Sequence, residues 1–320
     1  MKAVFLYQEV SADASDDEKD VLIQRHAIAE ALVELGYSCE DVPVTLDLKH
    51  VRDMLLRLNP DVVINLVETI AGTGRFLHFA PGLLEHLHLP FTGSSSEALY
   101  LTTGKVLTKE RLVSANLPTP SWSVTSQKEP ESDPPYIIKP VWEDASVGLD
   151  ESALVYDRTQ YQTVFKQRSK QYGILFSETY IDGREFNLSI LDSQNGPETL
   201  PVAEMCFEDY PEGKPRLVDY KAKWESDSFE YAHTVRRFDF PDSDSELLKQ
   251  LKQLAIRCWD VFGLRGYARV DFRVDSGGKP WILEVNANPC ISPDSGFIAA
   301  AEKAGLSYRD VIARIVAAAR

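Results

Sequence analysis

The feature that most restricts the fold is the alternation of short apolar runs with helical patterns in the first third of the chain. Ala3 to Tyr7 is a brief apolar run, the pattern of a strand buried on both faces of a parallel sheet. Val21 to Leu35 then repeats apolar residues at helical spacing and stops at Gly36, a normal helix end. Val51 to Leu58 is a second helical pattern, and Asp61 to Leu66 a second buried strand. Strands that alternate with helices imply an α/β domain built on a parallel sheet. This unit ends near Phe91-Thr92-Gly93-Ser94.

A chain of 320 residues favours two or three compact domains. A middle region starts near Lys105 and contains a charged, proline-rich loop (Lys128 to Pro135). Two strands follow, Pro135 to Pro140 and Leu175 to Ile181. The third region opens at Asp182-Gly183. Phe186 to Leu191 alternates as a strand, and Leu247 to Phe262 is an amphipathic helix ending at Gly263. Ala268 to Val274 and Trp281 to Val285 flank Gly277-Gly278 as a hairpin, and Tyr308 to Ala319 closes the chain as a helix. The expected division is therefore 1–104, 105–181 and 182–320.

Composition narrows the classes of function. Hydrophobic residues make up 44% and charged residues 26%, an ordinary globular balance. A net charge of −15 with no long Lys/Arg cluster argues against nucleic acid as a partner. No stretch approaches the roughly 20 apolar residues of a membrane span, and the first apolar run is too short for a signal peptide. Cys39, Cys206, Cys258 and Cys290 stand at neither metal-ligand nor CxxC spacing, which suits free thiols in a reducing compartment. A cytoplasmic location is expected. The acidic run Asp13 to Asp20 reads as a solvated loop leading into a helix.

Three segments carry chemistry. On the hairpin, Arg269 and Asp271 share a strand face, as do Glu284 and Asn286. If the hairpin registers these pairs together, three oxygen donors and a guanidinium converge. Asp, Glu and Asn are hard donors suited to magnesium bridged by nucleotide phosphates. Next, Lys139 ends a strand before the small-residue loop Ala145-Ser146-Val147-Gly148, whose backbone amides could cradle phosphate beside the lysine. No GxxxxGK[ST] motif is present, so the chain is not a P-loop NTPase. Third, Glu178 to Glu185 runs from strand to turn, where exposed amides could read an adenine edge and a carboxylate could hold ribose hydroxyls. Each segment alone also reads as an ordinary charged face, surface loop or turn.

Together these residues are more specific. The order and approximate spacing of Lys105, Lys139, Glu178 to Glu185, Lys223, Arg269-x-Asp271 and Glu284-x-Asn286 resemble the ATP-grasp superfamily. More narrowly, residues 60 to 320 resemble D-alanine–D-alanine ligase. Phe91-Thr92-Gly93-Ser94 is similar to that family's Tyr-Thr-Gly-Ser turn, and Asp219-Tyr220-Lys221-Ala222-Lys223-Trp224 to its Asp-Tyr-x-x-Lys-Tyr loop. Glu284-Val285-Asn286-Ala287-Asn288-Pro289 is similar to its Glu-x-Asn-x-x-Pro run. The resemblance implies a three-domain ATP-grasp fold with an N-terminal parallel-sheet domain. It implies ATP between the second and third domains, with Lys105, Lys139, Ser146 and Tyr180 at the nucleotide. Glu178 and Ile181 would bracket the adenine, and Glu185 would hold the ribose. Asp271, Glu284 and Asn286 would ligate two magnesium ions, with manganese a substitute. Arg269 would steady the transferring phosphate, while Lys223 and Ser295 match positions that bind the acceptor's carboxylate and a nucleotide phosphate. Asp219 to Ser228 would be a loop closing over an acyl phosphate to keep water out.

The N-terminal substrate end departs from that pattern. The family's Gly-Gly-x-Ser-x-Glu segment, whose Glu binds the ammonium of the first D-alanine, is replaced by Tyr7-Gln8-Glu9-Val10-Ser11-Ala12-Asp13, where Glu9 is a candidate substitute. Its His-Gly-x-x-Gly-Glu-Asp-Gly segment is replaced by Asn65 to Gly74. Ala145 stands at the loop's first serine, and Trp224 at the closing loop's tyrosine. A site that has lost several hydrogen-bonding groups is a site for a different acyl donor. The expected activity is an ATP- and magnesium-dependent carboxylate–amine ligase acting on amino acids or a small peptide, with a homodimer left open. The alternatives are a genuine D-alanine–D-alanine ligase and, from another class, an idle nucleotide-binding regulatory protein. His78, His86 and His88 read as surface or packing residues, Cys290 as a packing residue, and Trp142 and Trp224 as pocket linings or loop anchors.

Overall fold

The computed structural model describes residues 1–11, 13–143 and 146–320. The chain begins as the alternation requires. Strand β1 (Lys2–Gln8), helix α1 (Asp16–Glu34), strand β2 (Ser38–Val44), helix α2 (Leu48–Leu58) and strand β3 (Val62–Asn65) form a parallel sheet of order β2-β1-β3. Ala3 to Leu6 are fully buried because helices and the rest of the chain cover both faces of this sheet. A capping box between Ser15 and Glu18 opens α1, which places its acidic first turn at the positive end of the helix dipole. Helices α3 (Phe79–Leu87), α4 (Ser96–Thr103) and α5 (Lys105–Ser114) follow.

The second sheet is antiparallel. Its strands β4 (Trp122–Ser123), β5 (Tyr136–Pro140), β6 (Leu154–Val155) and β7 (Leu175–Thr179) run in the order β4-β7-β5-β6, with helix α6 (Tyr161–Tyr172) alongside. The third sheet has strands β8 (Arg184–Leu191), β9 (Glu198–Thr199), β10 (Ala203–Phe207), β11 (Thr234–Arg237), β12 (Tyr267–Val274) and β13 (Pro280–Asn286). Its order is β11-β10-β8-β12-β13, with β9 paired to β8. Helices α7 (Tyr220–Trp224) and α8 (Phe229–His233) lie between β10 and β11, α9 (Ser245–Phe262) precedes β12, and α10 (Gly296–Lys303) and α11 (Tyr308–Ala317) end the chain.

Hydrophobic burial joins the first and third sheets. One core combines Phe91, Leu99 and Leu112 with Phe186, Phe272 and Ile282, and another combines Phe5 and Ile64 with Tyr267 and Phe297. The middle sheet has separate small cores around Tyr136, Phe165 and Leu175, and around Ile137 and Leu154. Helix α5 packs through Leu112 into the core shared with α9 and β13, so it belongs to the larger body. The result is a small sheet facing a large body across a cleft. No helix among the described residues is long and apolar enough to cross a membrane.

Candidate active site

The cleft holds a cavity of about 620 Å³. The residues expected at the nucleotide, the metal ions and the acceptor all line it: Lys105, Lys139, Ser146, Glu178, Tyr180, Ile181, Glu185, Lys223, Arg269, Asp271, Glu284, Asn286 and Ser295. Ala145, where the loop lacks its hydroxyl, lies outside the described residues, as does Asp144.

The hairpin builds the centre. Antiparallel register sets Arg269 opposite Asn286 and Asp271 opposite Glu284, with a bulge just after Asp271. Arg269 grips Asp271 bidentately within its own strand, Nε to Oδ1 and Nη2 to Oδ2, both at 2.8 Å. Asn187, one strand over on β8, donates to the same Oδ1 at 2.9 Å. The Asn286 side chain accepts from the Asn288 amide at 2.8 Å, which orients it. Burial would raise the Glu284 carboxyl, but Lys105, Arg269, Lys223 and Lys139 together hold it below the ordinary glutamate value. Glu284 is thus the focus of four cations. Lys223 is exposed to the cavity yet walled in by it. Desolvation there, with Arg269 nearby, holds its pKa below that of an ordinary lysine. Among the described residues no group of three or more His, Cys, Asp or Glu is gathered to hold a metal ion. Two carboxylates and an amide instead suit a magnesium ion that takes its remaining oxygens from nucleotide phosphates.

The other wall comes from the middle sheet. Glu178 is 1% exposed and pairs with Lys139 at 2.6 Å and with the equally buried Lys109. Burial would raise its carboxyl, and the two lysines hold it low. Lys105 donates to the Glu143 carbonyl at 2.7 Å, and the Ser146 hydroxyl, at a left-handed φ of 64°, donates to the Val218 carbonyl at 2.8 Å. That bond ties the small-residue loop to the segment entering α7. Just past the turn after β7, at the start of β8, Glu185 pairs with Arg273 at 2.6 Å, and Arg273 also donates to the carbonyls of Gly183 and Arg216. Gly183 has a φ of 152°, and a Cβ there would lie 2.0 Å from the Val274 carbonyl oxygen, so only glycine lets β7 cross to β8 at this point.

The substrate end differs from expectation. Glu9 is exposed and outside the cavity lining. The acidic run is not wholly solvated: Asp17, Glu18 and Asp20 of α1 line the cavity, joined by Glu68 from the replaced Asn65–Gly74 segment. Asp20 is buried and accepts from Gln24, Cys290 and Ser292. Cys290 is therefore a packing group whose thiol burial pushes well up, unsuited to act as a nucleophile. Tyr220 of α7 donates to Asp17 at 2.9 Å, fastening the 219–228 loop to α1. Trp224 lines the cavity, whereas Trp142 stacks outside it against Tyr100 and Arg75.

The sequence reading passed over Lys109, Arg273, Asn187 and Arg236. Two had a legible signal. Lys109 lies four residues after Lys105 on the same helix face, and Arg273 continues the alternation of Arg269 and Asp271. Asn187 and Arg236 reach the site only through strand pairing.

A cleft in which lysines, a strand-borne Arg–Asp fork and paired acidic strands converge between two sheets defines an ATP-grasp ligase. Residues 110–317 match the family model described as D-ala D-ala ligase C-terminus. A protein of Sinorhizobium fredii, y4sG, is 32% identical over 89% of this chain and 84% of its own length. The D-alanine–D-alanine ligase of Moorella thermoacetica is 30% identical over 91% of both chains. The crystal structure of the Bacillus anthracis D-alanine–D-alanine ligase complexed with ATP superposes with a TM-score of 0.73 at 19% identity, covering 99% of this chain and 96% of that one. The chain belongs to the D-alanine–D-alanine ligase family of ATP-grasp proteins and is an ATP-dependent ligase that forms carbon–nitrogen bonds.

Proposed function

We propose that the protein activates a carboxylate as an acyl phosphate and transfers the acyl group to an amine, releasing ADP and phosphate, with a donor other than D-alanine. The observation that carries this reading is the Glu284 carboxylate facing Lys105, Lys139, Lys223 and Arg269 across one cavity. ATP would lie between the middle sheet and the third sheet, and the proposed division is 1–104, 105–181 and 182–320, with α5 at the start of the second segment packed on the larger body. Lys105, Lys139 and Ser146 border the phosphates. Glu178, Tyr180 and Ile181 border the adenine, Glu178 by holding Lys139 rather than through a free oxygen, and Glu185 faces the ribose. Asp271, Glu284 and Asn286 would hold two magnesium ions, or manganese. Magnesium bound there neutralises charge on the phosphates during in-line transfer.

In the first step a donor carboxylate oxygen attacks the γ-phosphorus and the bond to the β-phosphate oxygen breaks. In the second, the acceptor nitrogen attacks the acyl carbon, phosphate leaves and the nitrogen loses a proton. Arg269 keeps Nη1 outside its fork with Asp271, positioned to steady negative charge as it moves. Lys223 adds a point charge from the closing loop, and Ser295 meets the acceptor. The carboxylates at Asp17, Glu18, Asp20 and Glu68 favour a donor that carries an ammonium group. Substrates are amino acids or a small peptide.

Glu284→Gln tests the reading. The variant should keep its melting temperature within a few degrees and lose about a hundredfold or more in ATP-dependent phosphate release with any productive substrate pair. Turnover close to wild type would remove Glu284 from the mechanism.

A further inference from the structure

Arg236 brings into the cavity a guanidinium that the resemblance does not account for. Strand pairing sets it beside Met205, and both line the cavity. The guanidinium packs where a side chain on Gly296 would stand: a Cβ there would lie 3.2 Å from Nη2 and 3.5 Å from both Nε and the central carbon. Glycine at the first residue of α10 thus makes its room. Arg184, Arg269 and Arg273 each pair with a carboxylate. Arg236 is half-buried and, among the described residues, its side chain makes no hydrogen bond or ion pair; Asp294 acts on it only from beyond contact. Burial and the charge of Arg269 both work against its cation. A half-buried guanidinium that lines a substrate cavity with its donors unspent on protein groups is available to an anion that a ligand supplies.

The nucleotide phosphates are served at the opposite wall, by Lys105 and Lys139. Around Arg236 stand the Ser295 hydroxyl and the N-terminal turn of α10, a ready seat for one carboxylate. Arg236 is additional to that seat, and its fork matches a second planar anion. Building on the ligase reading above, we propose that Arg236 determines acceptor specificity by selecting an amine with two carboxylates, an amino dicarboxylic acid. One carboxylate sits at Ser295 and α10, the other in the Arg236 fork.

With each D- and L-amino acid supplied in turn as donor, the test compares D- and L-glutamate and aspartate with D- and L-alanine as acceptors, following phosphate release and the mass of the amide product. The acidic acceptors should exceed alanine in kcat/KM by about tenfold or more, the worth of a charge-assisted bidentate contact. Arg236→Leu should reduce that ratio at least about tenfold, and Arg236→Lys should restore part of it, with affinity for ATP within twofold in both variants. A preference for alanine in the wild type, or the same ratio in Arg236→Leu, overturns the proposal. If no acceptor turns over, the ligase reading has failed instead. Calorimetric titration of glutamate and alanine into the protein with magnesium and a non-hydrolysable ATP analogue then decides: tighter glutamate binding lost in Arg236→Leu supports the assignment, and equal affinities overturn it.

Discussion

Lys109 stands behind Lys139 and fixes it indirectly. Its ammonium is 1% exposed, pairs with Glu178 and donates to Thr119 at 3.0 Å, which in turn donates to the Ile282 carbonyl on β13. Desolvation lowers its pKa, while Glu178 opposes that change. Replacing one partner of a buried pair is costly because the other charge stays behind. Lys109→Met keeps the volume and removes the charge, leaving Glu178 to Lys139 alone. The unfolding free energy should fall by about 3 kcal/mol, read as a lower urea midpoint at pH 7. The same network has a pH signature. The folded pKa of Glu178 is depressed, so its contribution is complete above the ordinary value of 4.5 and is lost as pH falls below it. The gap between Lys109→Met and wild type should therefore narrow in acid, and a midpoint equal to wild type at pH 7 would dismiss the network as a source of stability.

The segment from Asp219 to Ser228 is the element proposed to close over the acyl phosphate. It carries Lys223 on α7, begins with Asp219 accepting from the Ala222 amide at 2.9 Å, and is latched to α1 by Tyr220 and Asp17. Desolvation, then Asp17, push the Tyr220 phenol up to about 12, so it remains a donor at any working pH. A hydrogen bond to a carboxylate is worth about 1.5–3 kcal/mol, so Tyr220→Phe should leave the loop open about ten times more often. An acyl phosphate exposed to water hydrolyses, so the variant should release more phosphate per amide formed than the wild type. A phosphate-to-amide ratio unchanged from wild type would show that the latch plays no part in excluding water.

At the scale of the whole molecule, the cavity is strongly polarised. Lys105, Arg269, Lys223 and Lys139 hold the Glu284 carboxyl low, while Asp17, Glu18, Asp20 and Glu68 bring carboxylates to the lining of the same cavity. The acidic end is made by α1 and by the segment after β3, and the buried contacts of Gln24 with Asp20, Glu68 and the Ile291 amide lock those pieces together. Donor recognition by these carboxylates, as proposed above, would differ from recognition by a single Glu on a glycine-rich loop, and sites that lose a substrate's hydrogen-bond partners discriminate strongly against it. With ATP, magnesium and millimolar D-alanine alone, little dipeptide should form, and a screen over pairs of D- and L-amino acids and dipeptides should find a better donor. Dipeptide from D-alanine at rates above every other pair would make D-alanine the natural donor.

Local patterns were enough to determine much of this protein. Apolar runs and helical periods gave the parallel first sheet, and strand alternation around Gly277-Gly278 put Arg269, Asp271, Glu284 and Asn286 on one face, because strand and helix periods are properties of the chain itself. Tertiary structure alone decided what those faces meet. Glu9 is a candidate for the donor's ammonium by its place in the segment that replaces the family's glycine-rich loop, yet it is exposed and outside the cavity lining, which takes its carboxylates from α1 and from residue 68 instead. The acidic run Asp13 to Asp20 reads as a solvated loop leading into a helix, yet from Asp16 on it forms the first turns of α1, and packing buries Asp20 against Ser292, 272 residues away. Arg236 gave no signal at all, since its place beside Gly296 depends on the pairing of β11 with β10. Which side chains share a cavity is set by long-range burial of apolar surface, and no pattern confined to neighbouring residues encodes it.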